Sequence, residues 1–291
     1  MGRHLPHTMS NAAPPAAGGL AFKAREIEEL ADIWFFRPLG MVFALAARAL
    51  GLSPTAVTLI GTAVGVAGGA MLAWPEWAVV GFAVIILHSI LDSSDGQLAR
   101  MTGRSTEFGR MMDGLGGYIT HIAIYIGILV SAFARGASPD IVLIAVLAGL
   151  SNVVHAQMYD YHRTTYASIA IKGVPTVVAA GGARAGVVAL YERMERRLAG
   201  RHPDVERAVA ARLVDGAIGA DDRARYRACF YWPVRGWNFL GDNTRFYAIG
   251  VCAWLGRVEW FLLFELTFMN AALVALWLWQ WRADRRFLMA L

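Results

Sequence analysis

The chain has 291 residues, of which 57% are hydrophobic and only 17% are charged, and its mean hydropathy is +0.45. This composition excludes an ordinary soluble domain and is typical of a protein that crosses the membrane several times. The net charge of +5 does not require nucleic acid, because basic residues in membrane proteins set orientation and contact anionic headgroups. We expect membrane lipids, and no nucleic acid, among the partners.

The N-terminal region is predicted to lie outside the bilayer. Residues 1–22, rich in Ala, Pro and Gly, are predicted to form a disordered tail. From Ala24 to Phe36, apolar residues recur at helical spacing opposite a charged face. This pattern predicts an amphipathic helix on the membrane surface, which Arg37-Pro38 is expected to end.

Six transmembrane helices are predicted after this surface helix, because a bilayer crossing needs about 20 mostly apolar residues. The fourth is expected to end at the polar cluster that begins at His155, and the fifth is short and extended by aromatic neighbours. The predicted spans are Ser53–Trp74, Glu76–Leu91, Ser105–Ala134, a helix opening at Ser138, Thr244–Leu255 and Val258–Trp281.

Residues 164–242 form a different region, rich in Arg and Glu and interrupted by Gly and Pro. They are predicted to form a cytoplasmic insertion between spans four and five, with amphipathic helices near Val187–Leu198 and Asp204–Val214. The predicted fold is an all-α integral membrane protein, with residues 23–291 forming one six-span domain.

The basic residues predict the orientation of these spans. With the N-terminus inside, only Arg135 and Arg257 of the 27 Lys and Arg fall in outer loops. This asymmetry agrees with the positive-inside rule. We therefore expect a polytopic protein with its N-terminus on the cytoplasmic side.

Three aspartates mark the join between the second and third spans, in the segment LDSSDGQLARMTGRSTEFGRMMD, residues 91–113. Asp92 and Asp95 are three residues apart, so both face one side of the second helix, and Asp113 begins the third. Carboxylates at a membrane face need cations, and oxygen ligands favour a hard ion such as Mg²⁺, Mn²⁺ or Ca²⁺. Mg²⁺ or Mn²⁺ is the expected cofactor, with His88 either joining the ligands or bonding within the bundle.

Small residues surround these aspartates. Gly96, Ala99 and Gly109 leave the helix faces bare, so a bulky group can approach the metal closely. A hard divalent ion beside bare backbone suits a diphosphate ligand.

The motif Asp92-x-x-Asp95-Gly96-x-x-Ala99-Arg100, followed after eight residues by Gly109-x-x-x-Asp113, resembles the signature of the CDP-alcohol phosphotransferases. The resemblance extends over roughly residues 24–163; beyond them only helix count and order agree. It implies a membrane enzyme that moves a phosphoalcohol group from a CDP-linked donor to an acceptor hydroxyl and releases CMP, in phospholipid or related polar lipid synthesis.

The resemblance also implies roles for single residues. Asp92, Asp95 and Asp113 would hold one metal ion or a pair. Gly96, Ala99 and Gly109 would line the cytidine diphosphate site, with Thr58 near the nucleotide and Arg100 near phosphate. The family's fourth aspartate, which completes the second metal site and deprotonates the acceptor, would fall at Gly117.

Three interpretations of Gly117 remain open. His121, one helical turn further on, could accept the proton of the hydroxyl or could simply pack between helices. A phosphate or carboxylate near the acceptor's hydroxyl could serve instead. The chain could also bind CDP-alcohol or lipid without turnover. A transporter is a weaker possibility, because no repeat or broken-helix pattern is visible.

Polar residues on the later spans offer further candidates. Arg163, Asn243 and Arg245 could form a basic site for an anionic acceptor, or could anchor headgroups. His155, Asp160 and His162 could bind metal or could bond between helices, and Glu265 and Asn270 could make interhelical or homodimer contacts.

Overall fold

A computed structural model describes residues 25–176 and 187–291 of the chain. The predicted tail, residues 1–22, lies outside the described residues. The described part is almost entirely helical; its strands are the two-residue antiparallel pair β1 (Leu213–Val214) and β2 (Ala217–Ile218). The α-helices are α1 (Arg37–Ala49), α2 (Pro54–Met71), α3 (Ala78–Thr102), α4 (Glu107–Ala134), α5 (Asp140–Tyr166), α6 (Val187–Leu198), α7 (His202–Ala210), α8 (Ala220–Trp237), α9 (Asp242–Trp254), α10 (Trp260–Phe264) and α11 (Asn270–Ala290).

The all-α membrane class is confirmed. Among the described residues, five helical segments are long and apolar enough to cross a bilayer: Pro54–Met71, Ala78–Thr102, Glu107–Ala134, Asp140–Lys172 and Trp260–Ala290. The predicted fifth span is α9, which has 13 residues. At 1.5 Å per residue it is about 20 Å long, against about 30 Å of hydrocarbon, so a total of six spans stays a prediction.

The predicted end of the surface helix is wrong. A short 3₁₀ turn (Arg25–Ile27) and a π-helical turn (Asp32–Phe36) lead into α1 without a break at Arg37-Pro38. Pro38 lies in the first turn of α1, where its missing N–H is tolerated. Leu30 and Trp34 remain 64% and 79% exposed, as expected of a helix that faces lipid.

Close glycine contacts hold α2 between α3 and α4. A Cβ atom at Gly69 would lie 2.7 Å from the backbone of Ala123 and Ile124 on α4. A Cβ atom at Gly68 would lie 2.9 Å from the carbonyl oxygen of Gly81 on α3. Small residues that let backbones approach are the usual basis of helix packing in membranes, and here they fix α3 and α4, which carry the three aspartates.

The region after α5 packs as a second core rather than as loose chain. Helix α5 continues through a π-helical segment (Ala167–Lys172), and its end packs with α7, α8 and the end of α11. Helix α6 has the predicted bounds, α7 begins two residues earlier and ends four earlier than predicted, and α8 was not predicted. The mixed charged and aromatic sequence of α8, with Pro233 inside it, hides the helical pattern.

Candidate active site

The three predicted aspartates converge. Asp92 and Asp95 lie on α3, Asp113 lies in the second turn of α4, and one carboxylate oxygen from each lies within 4.8 Å of the others. Mg²⁺ and Ca²⁺ bind oxygen at roughly 2.0–2.6 Å, so atoms at this separation can share an ion. The oxygen donor set therefore fits a hard divalent cation.

A tight turn brings Asp113 opposite α3. Gly103 ends α3 in the left-handed conformation, with φ +65°, which glycine adopts without strain. Thr106 then caps α4 by accepting a hydrogen bond from the Gly109 amide at 2.9 Å, a standard N-cap interaction. The antiparallel pair of helices that results places the aspartates face to face.

The residues predicted to bind nucleotide surround one cavity of about 170 Å³. Thr58, at the start of α2, donates a hydrogen bond to Asp95 at 2.5 Å, which ties α2 to the acidic set. The cavity ends at Asp95 and Asp113, and its lining includes Thr58, Gly96, Ala99, Arg100 and Gly109. The structure thus brings together all five predicted residues next to the carboxylates.

A second cavity, of about 330 Å³, shares Asp95 and Asp113 with the first and is also lined by Asp92. Its lining includes the three aspartates, His88, Gly117, His121 and Arg100, and on the opposite wall Glu29, Asp32, Tyr159, Asp242 and Asn243. His88 bonds through Nδ1 to the carbonyl oxygen of Gly61 at 2.9 Å, which matches the expected bond within the bundle.

Gly117 and His121 lie on the wall that continues from Asp113. A Cβ atom at Gly117 would meet nothing within 4 Å, so packing does not require a glycine there. His121 leans back by one turn, and its Nδ1 lies 2.9 Å from the Gly117 carbonyl oxygen. Long side chains on helices lean in this direction, and Nε2 then lies beside Asp242.

Asp242 is a candidate functional residue that the sequence did not reveal. It is the first residue of α9, and its Oδ1 lies 3.5 Å from His121 Nε2. It lines the cavity with the other aspartates. Its neighbour Asn243 drew attention as a candidate, but no local pattern shows that α9 brings Asp242 to His121, 121 residues earlier in the chain.

The three predicted acceptor residues have different positions. Asn243 lines the cavity and donates to Glu29 at 2.7 Å. Arg163 bonds to Tyr159 at 2.6 Å and to Asn238 at 3.0 Å, behind the cavity wall. Arg245 is buried and is not among the residues that line the cavity.

Arg245 instead fixes the start of α9. Its Nη1 donates to the carbonyl oxygens of Leu240 and Gly241, at 2.6 and 3.2 Å. Its Nη2 pairs with buried Glu265 at 3.1 Å, and Glu265 lies in a π-helical turn before α11. The arginine therefore holds the turn from which Asp242 and Asn243 project.

Glu265 and Asn270 both bond to His155, so their interhelical interpretation is confirmed. His155 Nδ1 lies 2.9 Å from Glu265 Oε1, and its Nε2 lies 3.2 Å from Asn270 Oδ1. His162 stacks on Trp237 with ring centroids 4.3 Å apart. These side chains join α5 to later helices, and neither histidine belongs to the acidic set that could hold a metal.

The N-terminal segment contributes two carboxylates to the cavity. Burial, reinforced by the neighbouring charge of Asp32, raises the pKa of Glu29 to about 7, against the lowering effect of hydrogen bonds from Asn243 and Tyr159. Burial also raises the pKa of Asp32. This wall therefore changes its charge near neutral pH.

An apolar groove of about 550 Å³ runs between α4 and α5. It meets the polar cavity at Gly117, His121 and Asp242, which line both. The rest of its lining is mainly apolar, with residues such as Ile122, Leu129 and Val146. A molecule with a polar end and an acyl chain could therefore lie across the two.

Part of the chain is similar in sequence to known proteins. A family model described as CDP-alcohol phosphatidyltransferase matches residues 51–191. Similar proteins include phosphatidylinositol phosphate synthases of Mycobacterium marinum (31% identical over 43% of this chain and 51% of that protein), Streptomyces avermitilis (32%, over 50% and 56%) and Mycobacterium tuberculosis (30%, over 43% and 55%). The chain spans about half the length of these relatives, and no solved structure gives a significant match.

The matched region contains the aspartate motif, the nucleotide-side cavity and His121, whereas Asp242, Asn243 and Arg245 lie beyond it. The family's members act on CDP-linked alcohols in membranes and generally use divalent metal ions. Residues 51–191 of the chain thus match the CDP-alcohol phosphatidyltransferase family.

Proposed function

We propose that the protein transfers a phosphoalcohol group from a CDP-linked donor to an acceptor hydroxyl and releases CMP, in the synthesis of a phospholipid or related polar lipid. The observation that carries this proposal is the convergence of Asp92, Asp95 and Asp113 at the junction of two cavities. One cavity suits the nucleotide, and the other, which shares the carboxylates with it, leaves room for an acceptor.

The metal is proposed to be Mg²⁺ or Mn²⁺, held by Asp92, Asp95 and Asp113, and it would neutralise the charge of the diphosphate. Gly96, Ala99 and Gly109 let the nucleotide lie against bare helix backbone, and Arg100 supplies positive charge beside it. Thr58 keeps Asp95 in place through the hydrogen bond across α2 and α3. Phosphoryl transfer depends mainly on such positioning and charge neutralisation.

His121 is proposed as the group that accepts the acceptor's proton. The Gly117 carbonyl oxygen can only accept a hydrogen bond, so His121 Nδ1 must carry the hydrogen. In the neutral ring the free electron pair is then on Nε2, which lies beside Asp242. A general base typically contributes a factor of about 10²–10⁴ to the rate.

The wall opposite the metal ligands is proposed to contact the acceptor. Asn243, Tyr159 and the carboxylates of Glu29 and Asp32 offer hydrogen-bonding groups to a hydroxyl compound. Arg163 and Arg245 would act indirectly, by holding this wall and the start of α9. The apolar groove between α4 and α5 supports a lipid chain on one of the two substrates.

The site is proposed to open on the cytoplasmic side. The nucleotide-side cavity lies at the turn between α3 and α4, on the side to which the basic residues assign the N-terminus. A CDP-linked donor would enter from that side.

The test is a CMP-release assay on purified protein in nanodiscs, with Mg²⁺ or Mn²⁺ and a panel of CDP-linked donors and alcohol acceptors. We expect CMP release that needs the metal and is lost in Asp113→Asn. Undiminished release by Asp113→Asn would show that the metal assignment is wrong. CDP-alcohol binding without CMP release from any pair would favour the alternative of a family member that binds without turnover.

His121→Gln tests the base, because glutamine can still donate to the Gly117 carbonyl oxygen but cannot accept a proton near neutral pH. We expect kcat to fall by about 10²–10⁴-fold with little change in the KM for the donor. A kcat equal to that of the wild type would remove His121 as the base.

A further inference from the structure

Asp242 reaches the reaction centre from a helix outside the region that matches the family. It begins α9 and lies in the lining of both the polar cavity and the apolar groove. The start of α9 is fixed by the hydrogen bonds of Arg245 to Leu240 and Gly241. Asp242 is therefore held at a defined place, although its carboxylate remains open to the cavity.

The partner of this carboxylate is His121. Oδ1 of Asp242 lies 3.5 Å from His121 Nε2, and that nitrogen is shielded from solvent with no closer hydrogen-bond partner in the described part of the chain. A separation of 3.5 Å is long for a hydrogen bond. Because the hydrogen of the neutral ring is on Nδ1, Nε2 and Oδ1 form a hydrogen bond only once Nε2 has taken up a proton.

Asp242 is not one of the three clustered carboxylates. The set whose oxygens lie within 4.8 Å of one another consists of Asp92, Asp95 and Asp113, while Asp242 pairs with His121 and lies 4.0 Å from Arg245 Nη1. A role beside the histidine therefore fits its position better than a role as a fourth metal ligand.

We infer that Asp242 is a positioning residue for His121, taking over part of the role of the carboxylate that is absent at Gly117. This inference rests on the proposed function. The acceptor hydroxyl gives its proton to His121 Nε2, and its oxygen forms a bond to the phosphorus of the donor alcohol. The bond between that phosphorus and the CMP oxygen breaks, and CMP leaves with the electron pair.

The carboxylate acts at the moment when His121 becomes positively charged. It stabilises the imidazolium by accepting a hydrogen bond from the newly protonated Nε2 and by its opposite charge at short range. Arg245 does not line the cavity but lies 4.0 Å from Asp242. The other charged and titratable residues that line it are Glu29, Asp32, Arg37, His88, Asp92, Asp95, Arg100, Asp113 and Tyr159.

The kinetic test compares Asp242→Asn with Asp140→Asn. Asp140 is exposed and, like Asp242, is the first residue of its helix, so both variants lose the same stabilisation of a helix N-terminus. We expect Asp242→Asn to lower kcat by about 10–100-fold, less than removal of the base itself, with unchanged donor KM and unchanged Mn²⁺ dependence. Asp140→Asn should match the wild type.

The double variant Asp242→Asn with His121→Gln should be no slower than His121→Gln alone, because the carboxylate acts through the histidine. If each substitution lowered kcat independently, so that the double variant showed the product of the two factors, the inference would be overturned. If Asp242→Asn needed a higher Mn²⁺ concentration for half-maximal CMP release, the residue would be a metal ligand. If its kcat fell further than that of His121→Gln, the residue would be the base. Either result would also overturn the inference.

A second readout does not depend on turnover. The rate at which diethyl pyrocarbonate modifies His121, followed by mass spectrometry of the folded protein, should rise in Asp242→Asn and should not change in Asp140→Asn. The reagent reacts with the unprotonated imidazole, and asparagine lacks the negative charge that favours the protonated form. An unchanged rate in Asp242→Asn would overturn the inference even if no substrate pair releases CMP. Absence of CMP release together with a raised rate would count against the proposed function alone.

Discussion

Gly117 occupies the position at which the resemblance of the sequence motif predicts a fourth aspartate. The open space around it distinguishes it from Gly69, whose missing side chain lets two helices touch. Packing therefore does not require a glycine at position 117, and any reason for it must concern the chemistry of the site. The side-chain volume absent at Gly117 is next to the imidazole of His121.

Gly117→Asp should restore turnover to His121→Gln. A Cβ atom at position 117 would meet nothing within 4 Å, and a carboxylate there would offer a proton acceptor one turn from the histidine. We expect CMP release to recover to within about tenfold of the wild type. Gly114→Asp, where a side chain also meets nothing within 4 Å, is the matched control, and rescue by that variant as well would show that position does not matter.

Glu29 should make the stability of the fold depend on pH near neutrality. Its pKa is about 7 in the fold and 4.5 ordinarily, so the folded state binds the proton first as the pH falls. Stability should therefore rise as the pH falls from above 7 towards 4.5, and Glu29→Gln should remove this dependence.

Thermal unfolding in detergent, followed by tryptophan fluorescence, measures this effect. We expect Glu29→Gln to have a higher Tm than the wild type at pH 8 and an equal one near pH 5. Glu76→Gln, at an exposed site between α2 and α3, controls for the loss of one carboxylate. A Tm difference that is the same at both pH values would contradict the expectation.

At the scale of elements, the contact between α2 and α4 decides how the acidic site is held. Three helices meet through glycine, so the positions of Asp92, Asp95 and Asp113 depend on residues one to four helical turns deeper in the bundle. Thr58 links the helix packing to the acidic site, since it lies on α2 and bonds directly to Asp95.

Gly69→Ala should destabilise the protein, because its Cβ would lie 2.7 Å from the backbone of α4. Overpacking of this kind costs about 1–3 kcal/mol. Gly149→Ala in α5 is the control: its Cβ would meet only Tyr125 at 4.0 Å, and alanine favours a helix by about 0.5–1 kcal/mol. Unfolding midpoints in a denaturing detergent should fall for the first variant and not for the second.

At the scale of the whole molecule, the distribution of basic residues predicts which face carries the site. Cysteine labelling tests this in a background without Cys229 and Cys252. We expect an impermeant maleimide to label Ser138→Cys, between α4 and α5, in intact cells. Val214→Cys, 65% exposed in β1, should react only after permeabilisation, and the reverse pattern would invert the orientation.

The parts that could be predicted from the sequence depend on local patterns. Long apolar runs predicted the membrane class, and the i, i+3 spacing of Asp92 and Asp95 placed both on one helix face, where the structure joins them with Asp113. The passage of the helix through Pro38 was missed because a π turn precedes it. Asp242 was missed because its contact with His121 depends on how α9 packs, which no local spacing encodes.

The position of Asp242 has a consequence for biosynthesis. Under the proposed function, the aspartates that would hold the metal, the nucleotide-side cavity and His121 all lie in the first 121 residues, whereas the carboxylate beside His121 arrives with α9, 121 residues later. A nascent chain would then contain its metal and nucleotide residues before the residue that supports the base. Chains that end before α9 would consume the donor more slowly than chains that contain it.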